Sequence, residues 1–134
     1  YTRDHLDDRL VDLVISLEGT LLKGEMQELR YRLALRGAAL LRRQAASTDT
    51  FLRLRTMYDA RSKIVHEGYS LEQLAQSGDV KIPAGGHGLE SYVVDCQELV
   101  RSVLRTYVEQ LDCGLAVGTV NERLDASIVS GLAP

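Results

Sequence analysis

Tryptophan is absent from this chain, phenylalanine occurs once, and there are only two prolines and two cysteines. Two separated cysteines, Cys96 and Cys113, cannot build a disulfide scaffold or a zinc ligand set; they read as ordinary thiols of a reducing cytosol. No group of His, Cys, Asp or Glu has metal-ligand spacing, so metal and thiol enzymes lack support and no cofactor is implied. The sequence contains neither a run of about 18 apolar residues nor a signal peptide, so neither membrane insertion nor secretion is indicated. The stretch from Pro83 to Gly88 is glycine-rich, but it lacks the Gly-Lys-Ser/Thr of a phosphate-binding loop and no strand precedes it. It reads as a flexible connection. Internal repeats, heptad runs and low-complexity tracts are missing as well.

What remains is dominated by Leu, Ala, Arg and Glu, which favours helices over sheets. With 134 residues, 45% of them hydrophobic, the chain suits one globular domain over residues 1–134 with a real core. A chain that begins at Tyr1 is expected to be a piece of a longer protein, whose other domains could hold part of the function. The net charge of −3 hides an asymmetry. Residues 27–66 hold nine bases against three acids, while residues 67–134 hold four against ten. A basic half can meet phosphates although the whole chain is acidic. Solvated helix faces with ordinary arginines are the plain alternative.

Hydrophobic spacing predicts five helical segments. The first runs from about Asp4 to Leu22, with a stripe of Leu6, Leu10, Leu13, Val14, Leu17 and Leu21, and Gly24 ends it. The second, about Gln27 to Ala45, presents Leu29, Leu33 and Leu40. Ser47, Thr48 and Asp49 are capping candidates for the third, which stops near Gly68. A connection from about Tyr69 to Gly88 follows, in which Ser70 and Gln73 have the spacing to cap a short helical turn. The fourth helix spans about Leu89 to Cys113, and a weaker fifth about Thr119 to Val129. The expected fold is all-α: an antiparallel bundle of four to five helices with a long loop between the third and fourth main helices.

Three charges fall on faces that should be buried. At roughly 100° per residue, Leu54, Tyr58, Arg61 and Val65 lie within about 60° of one another, which sets a guanidinium in an apolar stripe. Arg36 sits among Leu29, Leu33 and Leu40 on the second helix. Glu18 shares a flank of the first with Val11, Ile15 and Leu22. An unpaired buried charge costs several kcal/mol, so these groups should meet one another, a partner or an open cleft. An internal Glu18–Arg36 or Glu18–Arg61 ion pair is one outcome; a functional site is the other. His66 lies about 140° from Arg61 near the end of the same helix.

Three blocks in order, residues 9–18, 28–36 and 61–66, resemble a HEPN domain, and more narrowly the Apea-like HEPN group. The last block, from Arg61 through Ser62, Lys63, Ile64 and Val65 to His66, matches that family's arginine, four to six intervening residues, then histidine. The match covers about residues 4–113. The resemblance implies a helical bundle that forms a homodimer, with two copies of the motif in one cleft. It implies metal-independent RNA cleavage in a cytoplasmic phage-defence or toxin–antitoxin setting, where an antitoxin or further domains are partners. Arg61 and His66 match the catalytic pair. Ser62 occupies a position where the family often has Asn, Asp or His, and Glu18 and Arg36 match positions typical of the narrower group. Lys63 and Arg55 are candidates for RNA contacts. A degenerate, non-catalytic dimerisation or RNA-binding module is the alternative.

These residue types suit the chemistry. RNA supplies its own nucleophile, the 2′-hydroxyl, so a metal is not obligatory. An imidazole titrates near neutrality and could take that proton or protonate the leaving 5′-oxygen. A helix C-terminus favours the protonated form. A guanidinium could hold the scissile phosphate bidentately.

Overall fold

The structure, a computed structural model, describes residues 3–82, 88–112, 114 and 116–132. These residues form helices and no strand: α1 (Arg3–Leu21), α2 (Leu29–Leu40), α3 (Ser47–Glu67), α4 (Leu71–Ser77), α5 (Gly88–Asp112) and α6 (Val117–Leu132). Six helices replace the expected four or five because α4 forms inside the connection after α3. Within the rest of that connection, Pro83 to His87 lies outside the described residues, as does Cys113.

The helix α1 is central because its apolar residues recur every three or four positions. Leu6, Leu10, Val14, Leu17 and Leu21 are all buried, and the helix packs against α2, α3, α4 and α5. Each such leucine contributes about 2 kcal/mol by leaving water. Gly24, at a φ of 82°, then turns the chain in a conformation that a side chain would strain.

The helix α2 is shorter than the expected 27–45 span. It starts after Glu28, which sits in the left-handed region at φ 54°, and stops at Leu40. No side chain from Arg42 to Ala46 is buried, so no core contact rewards another turn. The expected caps of α3 are also displaced. Ala46 is its N-cap without a side-chain bond, and Ser47, Thr48 and Asp49 lie within the first turn, where Asp49 complements the helix dipole. At the other end Gly68 takes φ 74° and the Tyr69 N–H donates to the Lys63 carbonyl at 3.3 Å.

The short helix α4 follows from its local sequence. Ser70 Oγ accepts from the Gln73 N–H at 3.2 Å while Gln73 Oε1 accepts from the Ser70 N–H at 2.9 Å. Leu71 and Leu74 are thereby buried, and Asp7 on α1 accepts from the Leu71 N–H at 2.9 Å. Along α5, Val93, Cys96, Val100, Val103 and Tyr107 form the buried stripe. The helix α6 buries Val120, Asn121 and Leu124 and packs on α2 and α5. The helices α3 and α5 each pack on α1, and Arg53 Nη2 on α3 donates to the Asp95 carbonyl on α5 at 3.3 Å.

Candidate functional site

The buried face of α3 is Thr50, Leu54, Met57 and Ala60. Arg61 therefore does not lie within a buried stripe as the spacing suggested. The same side of α3 is closed at Leu54 (0% exposed) and open at Val65 (49%). Arg61 sits between them at the edge, its side chain 20% exposed. From there it reaches α1: Nη2 stands 3.4 Å from Glu18 Oε1.

That pair is attracted but poorly matched. Arg61 Nε and Glu18 Oε1 are both cut off from water, and neither has a hydrogen-bond partner. The 3.4 Å approach satisfies Coulomb attraction without hydrogen-bond alignment. Tyr58 borders the same pair. Its phenol is held above its ordinary value first by burial and then by the Glu18 carboxylate. Ile15, 51% exposed, lies one turn before Glu18 on α1.

His66 is exposed in the last turn of α3. It is about 7.5 Å along the axis from Arg61 and faces another direction. Among the described residues neither the side chain of His66 nor that of the half-buried Ser62 forms a hydrogen bond or ion pair. Lys63 Nζ is bound to Glu67 Oε2 at 3.1 Å and lies 5.8 Å from the Tyr69 ring centroid. Arg55 stacks over Phe51, 5.5 Å from the ring centroid.

Arg36 belongs to a different cluster. It is 2% exposed, and its bonds do not include Glu18. Nε and Nη2 donate to Asp125 Oδ1 and Oδ2, each at 2.8 Å. Nη2 also donates to Glu25 Oε1 at 3.0 Å, and Nη1 to the Leu21 carbonyl at 2.5 Å. This arginine ties α6 and the α1–α2 turn to α2. Both acids are held below the ordinary carboxylate range, chiefly by their hydrogen bonds to Arg36. Sequence reasoning missed Asp125 and Glu25. Asp125 is 89 positions from Arg36, and no local pattern marks a pairing across that separation.

Five of the nine cations in residues 27–66 are in ion pairs among the described residues. Besides Arg36, Arg61 and Lys63, Arg30 is paired with Asp59 at 2.5 Å and Arg32 with Glu25 at 2.7 Å. No cluster of three or more His, Cys, Asp or Glu among the described residues could hold a metal ion. No described helix is long and apolar enough to cross a membrane. Neither a family model, a curated protein nor a solved structure matches the chain.

Proposed function

We propose that this chain is a HEPN-type, metal-independent endoribonuclease whose working unit is a homodimer, with Arg61 and His66 of each copy as the reacting pair. The observation that carries the reading is the under-satisfied guanidinium of Arg61, beside an open helix face and one turn before an exposed histidine. A second α3 laid against Val65 and Ile15 would bury that face and bring two motifs together about a twofold axis, in the bundle dimer that the family resemblance implies. A phosphate would give Arg61 Nε the acceptor that Glu18 does not. His66, with no competing partner, is free to exchange a proton with the 2′-hydroxyl or the leaving 5′-oxygen. Ser62 can donate one hydrogen bond but cannot act as an acid or base near neutrality. A phage-defence or toxin role in the cytoplasm follows from the resemblance alone.

A non-catalytic dimerisation or RNA-binding module is the second reading; the pairing of Arg30, Arg32, Arg36, Arg61 and Lys63 with acids favours its dimerisation form, since those five cations are already answered. The test is incubation of the purified protein with single-stranded RNA in EDTA. Fragments ending in a 2′,3′-cyclic phosphate, lost in a folded His66→Ala protein, support the nuclease. Salt-sensitive binding without turnover supports the module, and undiminished cleavage by His66→Ala sinks the assignment of that residue.

A further inference from the structure

A second open surface lies between α1 and α5, remote from Arg61. The groove there has a volume of about 610 Å³ and is lined from α1 by Leu13 and Ser16. Its apolar lining on α5 is Val100, Leu104 and Val108; Val100 is buried, whereas Val108 is 51% exposed. Arg9 of α1 donates to the side chain of Gln97, which ties the two helices together beside the groove. Ile15 and Glu18 lie roughly 140–160° around α1 from Leu13, so the groove and the Arg61 face are on opposite flanks of that helix.

The charged lining of the groove is divided along α5. Arg101 and Arg105 come first, and Glu109 and Asp112 follow at the C-terminal end. That end is a poor place for acids: the helix dipole favours cations there, yet the last turn of α5 holds no base. Nor does the helix answer its own charges. Arg105 and Glu109 stand four positions apart in the order that pairs less well. Among the described residues the side chains of Arg105, Glu109 and Asp112 form no hydrogen bond or ion pair. Arg101 has an exposed contact with Glu98 at 3.1 Å, of a kind that contributes little and is readily exchanged.

We propose that this groove docks a second copy of the chain, with α5 against the partner's α5 in antiparallel register. At roughly 100° per residue, Arg101, Val108 and Asp112 lie within about 40° of one another. Leu104 falls on the flank shared with Gln97, and Arg105 and Glu109 fall on the other. A twofold axis perpendicular to α5 at residues 106–107 sets Arg101 against the partner's Asp112, Arg105 against the partner's Glu109 and Leu104 against the partner's Val108. Such an axis brings each flank against its own counterpart, so the apolar pair lies on one side and an ion pair on the other. The face is thus complementary to itself in charge and in apolar surface. A parallel copy would set arginine against arginine, and a partner helix of one sign would answer only half of the charges. Three turns of α5 make a small interface, so this contact forms at higher concentration than one across the open face of α3. It stands independently of RNA cleavage and of the Arg61–His66 pair. With both faces in use, each chain touches two others, and dimers are joined into larger assemblies.

Sedimentation equilibrium of the whole chain, run beside Val65→Glu to remove the α3 face, tests it. Val65→Glu should be monomeric at low micromolar concentration and dimerise with a dissociation constant of about 0.1 mM, while the parent passes beyond a dimer in the same range. On the Val65→Glu background, Arg105→Glu and Glu109→Arg should each weaken dimerisation about tenfold or more, because the twofold axis sets like charges together twice. An equimolar mixture of those two variants should associate as well as Val65→Glu itself, since each supplies the sign that the other lacks. Unchanged far-ultraviolet circular dichroism shows that the reversals leave the helices intact. A Val65→Glu protein that stays monomeric up to about 1 mM overturns the proposal and leaves the groove to a different partner. Single reversals that dimerise like their background, or a mixture that remains monomeric, overturn it as well. A parent that dimerises only in this range, and no differently from Val65→Glu, supports the groove contact and removes the α3 dimer instead.

Discussion

Two arginines with similar sequence surroundings have opposite energetics. Arg36 is buried and makes four hydrogen bonds, so the costly change is loss of its partner rather than of itself. Asp125→Ala leaves a buried guanidinium half-answered and is expected to cost about 3 kcal/mol. Arg36→Met leaves behind two carboxylates that can reach water, and should cost roughly half as much. Urea denaturation of the two variants checks the order. Arg61 has one contact and no hydrogen bond, so Arg61→Ala should change stability by no more than about 1 kcal/mol in the same assay. An unfolded Arg61→Ala protein would identify a structural ion pair instead. Acid sensitivity also belongs to Arg36. Asp125 and Glu25 have folded values below their unfolded ones, so their contribution is complete above the unfolded range and lost as pH falls through the folded values. Melting temperature should fall below about pH 4, and this acid limb should flatten in Arg36→Met.

Individual helices depend on a few small details. The helices α2 and α3 approach closely because Gly37 has no side chain; a Cβ there would overlap Leu54 Cδ1, which is fully buried. Gly37→Ala gains about 1 kcal/mol of helix propensity but overpacks the contact by about 1–3 kcal/mol, so a net loss is expected on thermal unfolding. The α4 segment relies on its capping box. Ser70→Ala should cost about 1 kcal/mol and increase amide exchange in Leu71–Ser77 ahead of the other helices. At the far end, α6 is held by Arg36–Asp125 and by a buried polar group. There Tyr107 Oη lies 3.3 Å from Asn121 Oδ1, and Asn121 Nδ2 donates to the Thr20 carbonyl at 3.2 Å.

For the whole molecule, the open face of α3 beyond Leu54 is the feature that a second copy would complete. Val65→Glu or Ile15→Glu puts a charge on that face without touching the core, since both residues are about half exposed. Sedimentation should show a dimer for the parent chain and a monomer of unchanged helicity for either variant. A parent monomer at all concentrations would remove the shared cleft and, with it, the convergence of Arg61 with a partner's histidine.

Local physics wrote the helices into the sequence: the Leu6–Leu21 stripe, the Ser70–Gln73 box, and glycines placed where α1 and α3 end. These are contacts between near neighbours in the chain, so spacing alone reveals them. The ends of α2 were not legible, because a helix continues only while a distant surface covers its next turn. Nor was the division of labour among Glu18, Arg36 and Arg61. The sequence marked all three as charges on apolar faces and left their partners open. Tertiary packing decided that Arg36 finds Asp125 and Glu25, and that Arg61 finds Glu18 incompletely. It also decided that a wedge between α3 and α5 is bordered by Arg53, Arg55 and Lys81. Pairing across many tens of residues depends on where helices cross, and helical periodicity carries no record of that.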